Sequence, residues 1–191
     1  MKKANIHRSI LKPMASVESN YTITSGIRFE TLVPERVLII PNQDNIKTWA
    51  EFGIKVTNQT STPYRFIFFS LIPEIVGPEG EAIEYGAGIN HANLPLESDF
   101  LLAKPGETLT FLTKSKFFCV GNKLGFGGVN RYNLSWSYRG LRPIKYWVRF
   151  TYRKISPTPK ISRQSWPFLE ELWTGIASSP YEEFYLEYPP D

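Results

Sequence analysis

Cysteine occurs once in this chain of 191 residues, at Cys119, so no disulfide can form within it. A large β-rich protein stable without one fits a reducing interior or an undemanding compartment. Histidine is almost as scarce, at His7 and His91 only. With a single thiol beside them, no closely spaced set of three or four zinc ligands is visible. Long apolar runs are missing too. The longest, residues 66–76, is interrupted by Ser70, Pro73 and Glu74 and is far too short to span a bilayer. Lys2 and Lys3 begin the chain, but residues 4–19 are broken by Asn5, His7, Arg8, Lys12 and Pro13, which excludes the continuous apolar core of a signal peptide. The expectation is a cytoplasmic protein with no membrane association. An excess of one charge is also lacking. Lysine and arginine number 22 against 18 acids, and the resulting +4 is too small to mark a nucleic-acid binder by itself.

Aromatic residues are abundant: thirteen Phe, ten Tyr and five Trp against two Met, a balance that favours strands over helical bundles. Fifteen Pro and thirteen Gly imply many short elements joined by turns. The clearest strand is residues 146–152, Tyr-Trp-Val-Arg-Phe-Thr-Tyr. Its alternation places Tyr146, Val148, Phe150 and Tyr152 on one face and Trp147, Arg149 and Thr151 on the other. Tyr132, Leu134 and Trp136 alternate in the same way, and the intervening Gly140 and Pro143 predict a hairpin joining the two runs.

Upstream, residues 1–25 read as an irregular N-terminal extension and residues 26–191 as one β-sandwich domain. Residues 27–31 predict a short strand, and residues 33–40 a strand apolar on both faces and buried. In residues 49–57, Phe52, Ile54 and Val56 point inward while Glu51, Lys55 and Thr57 point out. Residues 64–71 predict a central strand, and Pro73 consigns residues 72–76 to its continuation or to an edge. Residues 84–99 stay unassigned, and so long a loop in a compact domain tends to be functional. Strands on either side of Lys104-Pro105-Gly106-Glu107 follow, with a further one at 115–120. Residues 121–128, with four glycines, read as a wide hairpin loop. Residues 154–167 are polar, 169–173 suit one helical turn, and 181–188 close the fold with Phe184 and Leu186 inward. About eight to ten short strands at this spacing predict an all-β fold, a β-sandwich in preference to a barrel.

No catalytic constellation emerges. His91 as a general base needs a nucleophile and an orienting carboxylate beside it. Cys119, after Phe117 and Phe118, reads as a small core residue. Glu79, Glu81 and Glu84, or Glu97 and Asp99, lack the regular spacing of a calcium loop. Residues 121–128 lack the Gly-Lys-Ser/Thr ending of a phosphate loop. No cofactor is therefore expected. One run stands out: Arg139, Arg142, Lys145, Arg149, Arg153, Lys154, Lys160 and Arg163 interleave with Tyr138, Tyr146, Trp147 and Tyr152. Such a mixture binds single-stranded nucleic acid or acidic polysaccharide. Its structural reading is a core face backed by solvated cations, with Glu182, Glu183, Glu187 and Asp191 of the tail as partners for them.

Residues 52–61, with Asn58-Gln59-Thr60-Ser61 followed by Pro63, resemble the opening of bacterial immunoglobulin-like domains. Lys104-Pro105-Gly106-Glu107-Thr108-Leu109 is similar to their Pro-Gly-Glu turn, and residues 140–150 to their late hairpin, although Gly140-Leu141-Arg142-Pro143 departs from its order. Trp173-Thr174-Gly175 before a last strand fits as well. Together these features resemble uncharacterised bacterial, cyanobacterial-type immunoglobulin-like proteins, and more loosely the intracellular proteinase-inhibitor type of domain. Chagasin-like cysteine-protease inhibitors share the order of Asn58–Thr62, Gly125–Gly128 and Arg142-Pro143. Gln59 and Ile144 stand where that family has proline and an aromatic residue.

The resemblance implies a fold and no chemistry. The function expected is a non-enzymatic protein-interaction or accessory module, a subunit of a larger bacterial assembly. Trp147, Arg149, Arg153, Arg142 and His91 are its candidate partner-binding residues. Two alternatives stand beside it. A protease inhibitor requires Thr60, Gly127 and Arg142 to cluster at one end of the sandwich. A binder of anionic polymer requires one positive face containing Arg149 and Arg153.

Overall fold

A computed structural model describes residues 20–44, 46–89, 93–154 and 171–190. Among these, the strands in chain order begin with β1 (Thr22–Thr24), β2 (Ile27–Leu32), β3 (Val37–Ile39), β4 (Lys47–Asn58) and β5 (Tyr64–Phe66). Next come β6 (Glu74–Val76), β7 (Tyr85–Ile89), β8 (Leu101–Ala103), β9 (Thr108–Val120) and β10 (Lys123–Val129). The last are β11 (Leu134–Leu141), β12 (Lys145–Arg149), β13 (Thr151–Lys154), β14 (Gly175–Ser178) and β15 (Glu182–Glu187). A 3-10 turn, Glu97–Asp99, precedes β8.

The result is the expected all-β sandwich. One layer is a seven-stranded antiparallel sheet in the order β1-β2-β4-β9-β10-β11-β7. The other is built around β3-β15-β12-β6, with β3 and β15 parallel. β12 and β13 are one run interrupted at Phe150, where the ladder passes from β15 to β14. The buried Ser179 joins the two halves: its N–H donates to the Phe150 carbonyl at 2.9 Å, and its hydroxyl accepts from the Phe150 N–H at 3.1 Å.

Alternation predicts the buried faces well. Tyr146, Val148, Phe150 and Tyr152 are buried together, as are Phe52, Ile54 and Val56 of β4, and Phe184 and Leu186 of β15. The two layers meet through rings: Phe184 lies 4.9 Å from Phe52, which meets Phe126 edge-on at 5.5 Å. At the far end Asn58 is fully buried and fully satisfied. Its Nδ2 donates to the carbonyls of Thr62 (2.8 Å) and Ala103 (2.9 Å), and its Oδ1 accepts from the Thr60 N–H (3.0 Å) and hydroxyl (2.7 Å). A buried amide with every partner present locks a loop that would otherwise fray.

Several expectations are corrected. The runs at 132–136 and 146–152 form no hairpin. β11 continues to Leu141 because Tyr138 and Leu141 are still core residues, and residues 142–144 then cross to the other layer. Gly140, at φ +72°, bends β11 opposite the register shift between Leu124 and Gly125. Residues 121–128 form no wide loop. Gly121 (φ +57°) and Asn122 (φ +60°) make a two-residue turn suited to the twist of a hairpin, and β10 begins at once. The strand glycines serve close approach: a Cβ on Gly127 would lie 2.5 Å from the Trp136 carbonyl oxygen. β3 is an edge strand with Val37 and Ile39 exposed, since only Leu38 of its three residues faces the core. Of residues 64–71 only β5 is a strand, paired with β8 and bridged at Arg65 to Leu172. β7 occupies part of the segment left unassigned, and β1 forms within the stretch read as an irregular extension. Residues 155–170 lie outside the described residues.

Two stability predictions follow from this packing. Gly127→Ala forces its Cβ onto backbone and should cost about 1–3 kcal/mol. Gly86→Ala meets nothing within 4 Å and should leave the urea midpoint unchanged or raised. The second concerns alkali. Burial raises the Tyr138 and Tyr152 hydroxyls well above the ordinary tyrosine range, with the neighbouring Tyr85 adding to the effect at Tyr138. Their hydroxyls donate to the carbonyls of Pro73 and Trp173, respectively. The folded state thus holds protons that the unfolded state releases above about pH 10. Stability should be flat below that pH and fall above it, and the last phase of tyrosine ionisation followed by ultraviolet absorbance, that of Tyr138 and Tyr152, should coincide with unfolding. Ionisation of all tyrosines well before unfolding would contradict this.

Candidate binding surface

Among the described residues, those singled out from sequence form no uninterrupted positive face. Trp147 is half-buried in β12 between Glu183 and Val76, with the Lys145 ammonium 4.8 Å above its ring. Arg149 donates from Nε to Glu74 at 2.8 Å while its guanidinium covers Tyr181 at 4.6 Å. Lys145 pairs with Glu183 at 3.5 Å and Arg36 with Glu182 at 2.6 Å. Acids from β6 and β15 therefore neutralise this sheet face. Arg153 is exposed in β13 opposite Ile176. Arg142 is exposed just beyond β11, where its backbone N–H donates to the Tyr146 hydroxyl at 2.9 Å. His91 lies outside the described residues.

The loop cluster of an inhibitor does not form either. Thr60 follows β4 at the end of the sheet that carries the turn of Lys104–Glu107. Arg142 lies at the end that carries the Gly121–Asn122 turn, roughly 35 Å away along a strand the length of β4. Gly127 is in mid-strand between them.

A different surface has the makings of a site. On the outer face of the seven-stranded sheet, strand register aligns one row across five strands: Trp49, Lys116, Gly127, Ser137 and Gly86. The flanking row on one side is Lys47, Phe118, Gly125 and Arg139, and on the other Glu51 faces Lys114 while Val129, Ser135 and Gly88 align. Glycine and serine leave the middle strands almost bare. Trp49, 69% exposed, stands at one side, with the Lys116 ammonium 5.8 Å from its ring centre. The outcome is an open trough of about 660 Å³. Lys47, Lys114, Lys116 and Arg139 take part in no ion pair among the described residues.

Past Lys114 and Val129 the trough meets a hollow of about 430 Å³, lined by Phe68, Leu101, Leu112 and Tyr132. There Arg131 pairs with the buried Asp99, whose other oxygen accepts the Leu96 N–H at 2.8 Å. This pair pins the segment leading into β8.

The trough ends at β7, the edge of the sheet. Its residues, Tyr-Gly-Ala-Gly-Ile, include no charge and no proline. Sequence reasoning missed both features. The outward parity of Trp49 was legible from the inward parity of Phe52, but only strand register shows that Lys116, Gly127 and Gly86 align with it.

Cys119 is part-buried, and its Sγ donates to the Pro41 carbonyl at 3.2 Å. Desolvation, then the Asp44 carboxylate, raises its pKa. Among the described residues, no group of three His, Cys, Asp or Glu is placed to hold a metal ion, and no helix is long and apolar enough to cross a membrane. No family model, curated protein or solved structure matches the chain.

A raised thiol pKa leaves less thiolate at neutral pH. Native Cys119 should therefore react with a disulfide reagent at pH 8 at least about tenfold more slowly than in denaturant. Equal or faster native reaction would mark an activated thiol.

Proposed function

We propose that this protein is a non-enzymatic interaction module of the cytoplasm, an accessory subunit that recruits an extended segment of a partner protein onto strand β7. The open edge of β7 carries the proposal. Sheet edges are commonly blunted by lysine, proline, bulges or a covering segment, because their unpaired N–H and C=O groups template association. β7 has neither a charge nor a proline, and no described strand pairs with its outer side. A partner strand added there would extend the seven-stranded sheet by one, with main-chain hydrogen bonds supplying affinity and alternate side chains supplying specificity. Gly86 and Gly88 leave one face of that new pair open, whereas Tyr85, 47% exposed, offers an aromatic anchor at its end.

Selection of extended peptides from a displayed library tests this reading. Of two consecutive strand residues one directs its N–H outward, so Ala87→Pro and Gly88→Pro together remove an outward donor whichever it is. Selected peptides should bind the native protein and lose about tenfold or more in affinity for at least one proline variant, with thermal unfolding confirming that each variant is folded. Peptides that bind both folded variants as tightly as the native protein would place recognition elsewhere.

A further inference from the structure

We infer that the outer face of the seven-stranded sheet is a second binding site, one for an acidic polysaccharide lying along the trough from Trp49 to Gly86. This inference is independent of strand addition at β7, because it uses the face of the sheet rather than its edge.

Charge names the sign of the occupant. Lys47, Lys114, Lys116 and Arg139 all project from this face, against Glu51 as the acid beside Lys114 in the register. None of the four cations has an ion-pair partner among the described residues, whereas Lys145, Arg149 and Arg36 on the opposite layer are matched by Glu183, Glu74 and Glu182. A face of unneutralised cations attracts an anionic ligand.

Shape names the class. The row from Trp49 to Gly86 crosses four inter-strand spacings, about 19 Å, which is the reach of an oligomer and not of a single ring. Its floor is backbone and hydroxyl. Gly127, Gly86 and Gly88 contribute no side chain, and Ser137 lies in the central row. The Ser135 hydroxyl already donates to the Gly88 carbonyl at 3.2 Å, which leaves its lone pairs for a ligand hydroxyl. A flat, hydroxyl-bearing ring fits such a floor, with Trp49 as the platform for its C–H face. Single-stranded nucleic acid is served less well. Non-specific binders of that class stack successive bases on successive aromatic side chains, and here one exposed ring is followed by glycine and serine.

The test is binding of polygalacturonate to the full chain by calorimetry, with neutral dextran and a thymidine oligonucleotide as comparisons. Polygalacturonate should bind, dextran should not, and affinity should fall as salt is raised. Trp49→Ala, and Lys114→Ala with Lys116→Ala, should each weaken it by about tenfold. Gly86→Leu provides a variant that asks little of the fold, because a Cβ there meets nothing within 4 Å, and thermal unfolding checks that it is folded. It obstructs the end of the trough and should also weaken binding by about tenfold, while leaving every β7 amide in place for strand addition. The inference is overturned by absence of polygalacturonate binding. It is equally overturned by binding that all three changes leave intact, or by tighter binding of the oligonucleotide through the same residues.

Discussion

The contact between Phe52 and Phe184 is where the two layers of this protein become one structure. Phe52 comes from the middle of β4 and Phe184 from β15, and both are almost wholly buried. Phe126 meets Phe52 edge-on and stacks with Phe117 at 4.5 Å, while Tyr146 stacks with Phe184 at 5.8 Å. A second aromatic group surrounds Tyr152, which lies within 4.8–6.1 Å of Phe68, Trp173, Phe66 and Phe29. Truncating one such ring typically costs about 3–5 kcal/mol, and a whole domain has only about 5–15 kcal/mol in hand. Ring packing on this scale explains how the chain manages with a single, unpaired cysteine.

Because the inner face of the large sheet is filled by rings, its outer face is free to carry something else. β10 directs Phe126 and Leu124 inward and presents Gly125 and Gly127 outward. β11 buries Trp136 and Tyr138 and presents Ser135, Ser137 and Arg139. The glycines are a packing requirement, since neighbouring backbone and the Phe118 ring approach too closely for a Cβ at 125, 127 or 128. One set of residues thus creates both the tight sheet and the bare trough above it.

Electrostatics distinguishes the two outer faces. The basic and aromatic run of residues 139–153 was the strongest binding signal in the sequence, yet its central cations are held by carboxylates that lie far away in the chain. Arg149 and Glu74 are 75 residues apart, and Lys145 is paired with Glu183 from the last strand. Half-exposed pairs of this kind add little stability, but they remove the unbalanced charge that an anionic partner would need. Lys114 and Lys116 lie in a less conspicuous stretch and have no such partners among the described residues.

Local rules determined what the sequence could decide alone. Period-two alternation identified the buried faces of β4, β12 and β15, the Lys104–Glu107 turn followed from its proline and glycine, and composition established an all-β sandwich. The Asn58-Gln59-Thr60 motif was visible as well, and its role as a satisfied buried clamp fits the loop expected there. Only the tertiary structure decided which strands are neighbours. A run such as 132–141 carries the same alternation whether it pairs with 146–152 or with β10 and β7, and the choice between these depends on ring packing across the whole sandwich. Register follows from that choice, and register alone sets Trp49, Lys116, Gly127 and Gly86 in line and leaves the outer side of β7 without a partner strand among the described residues. Those are non-local facts, because a side chain's period is set by its own backbone while its neighbours are set by everything else.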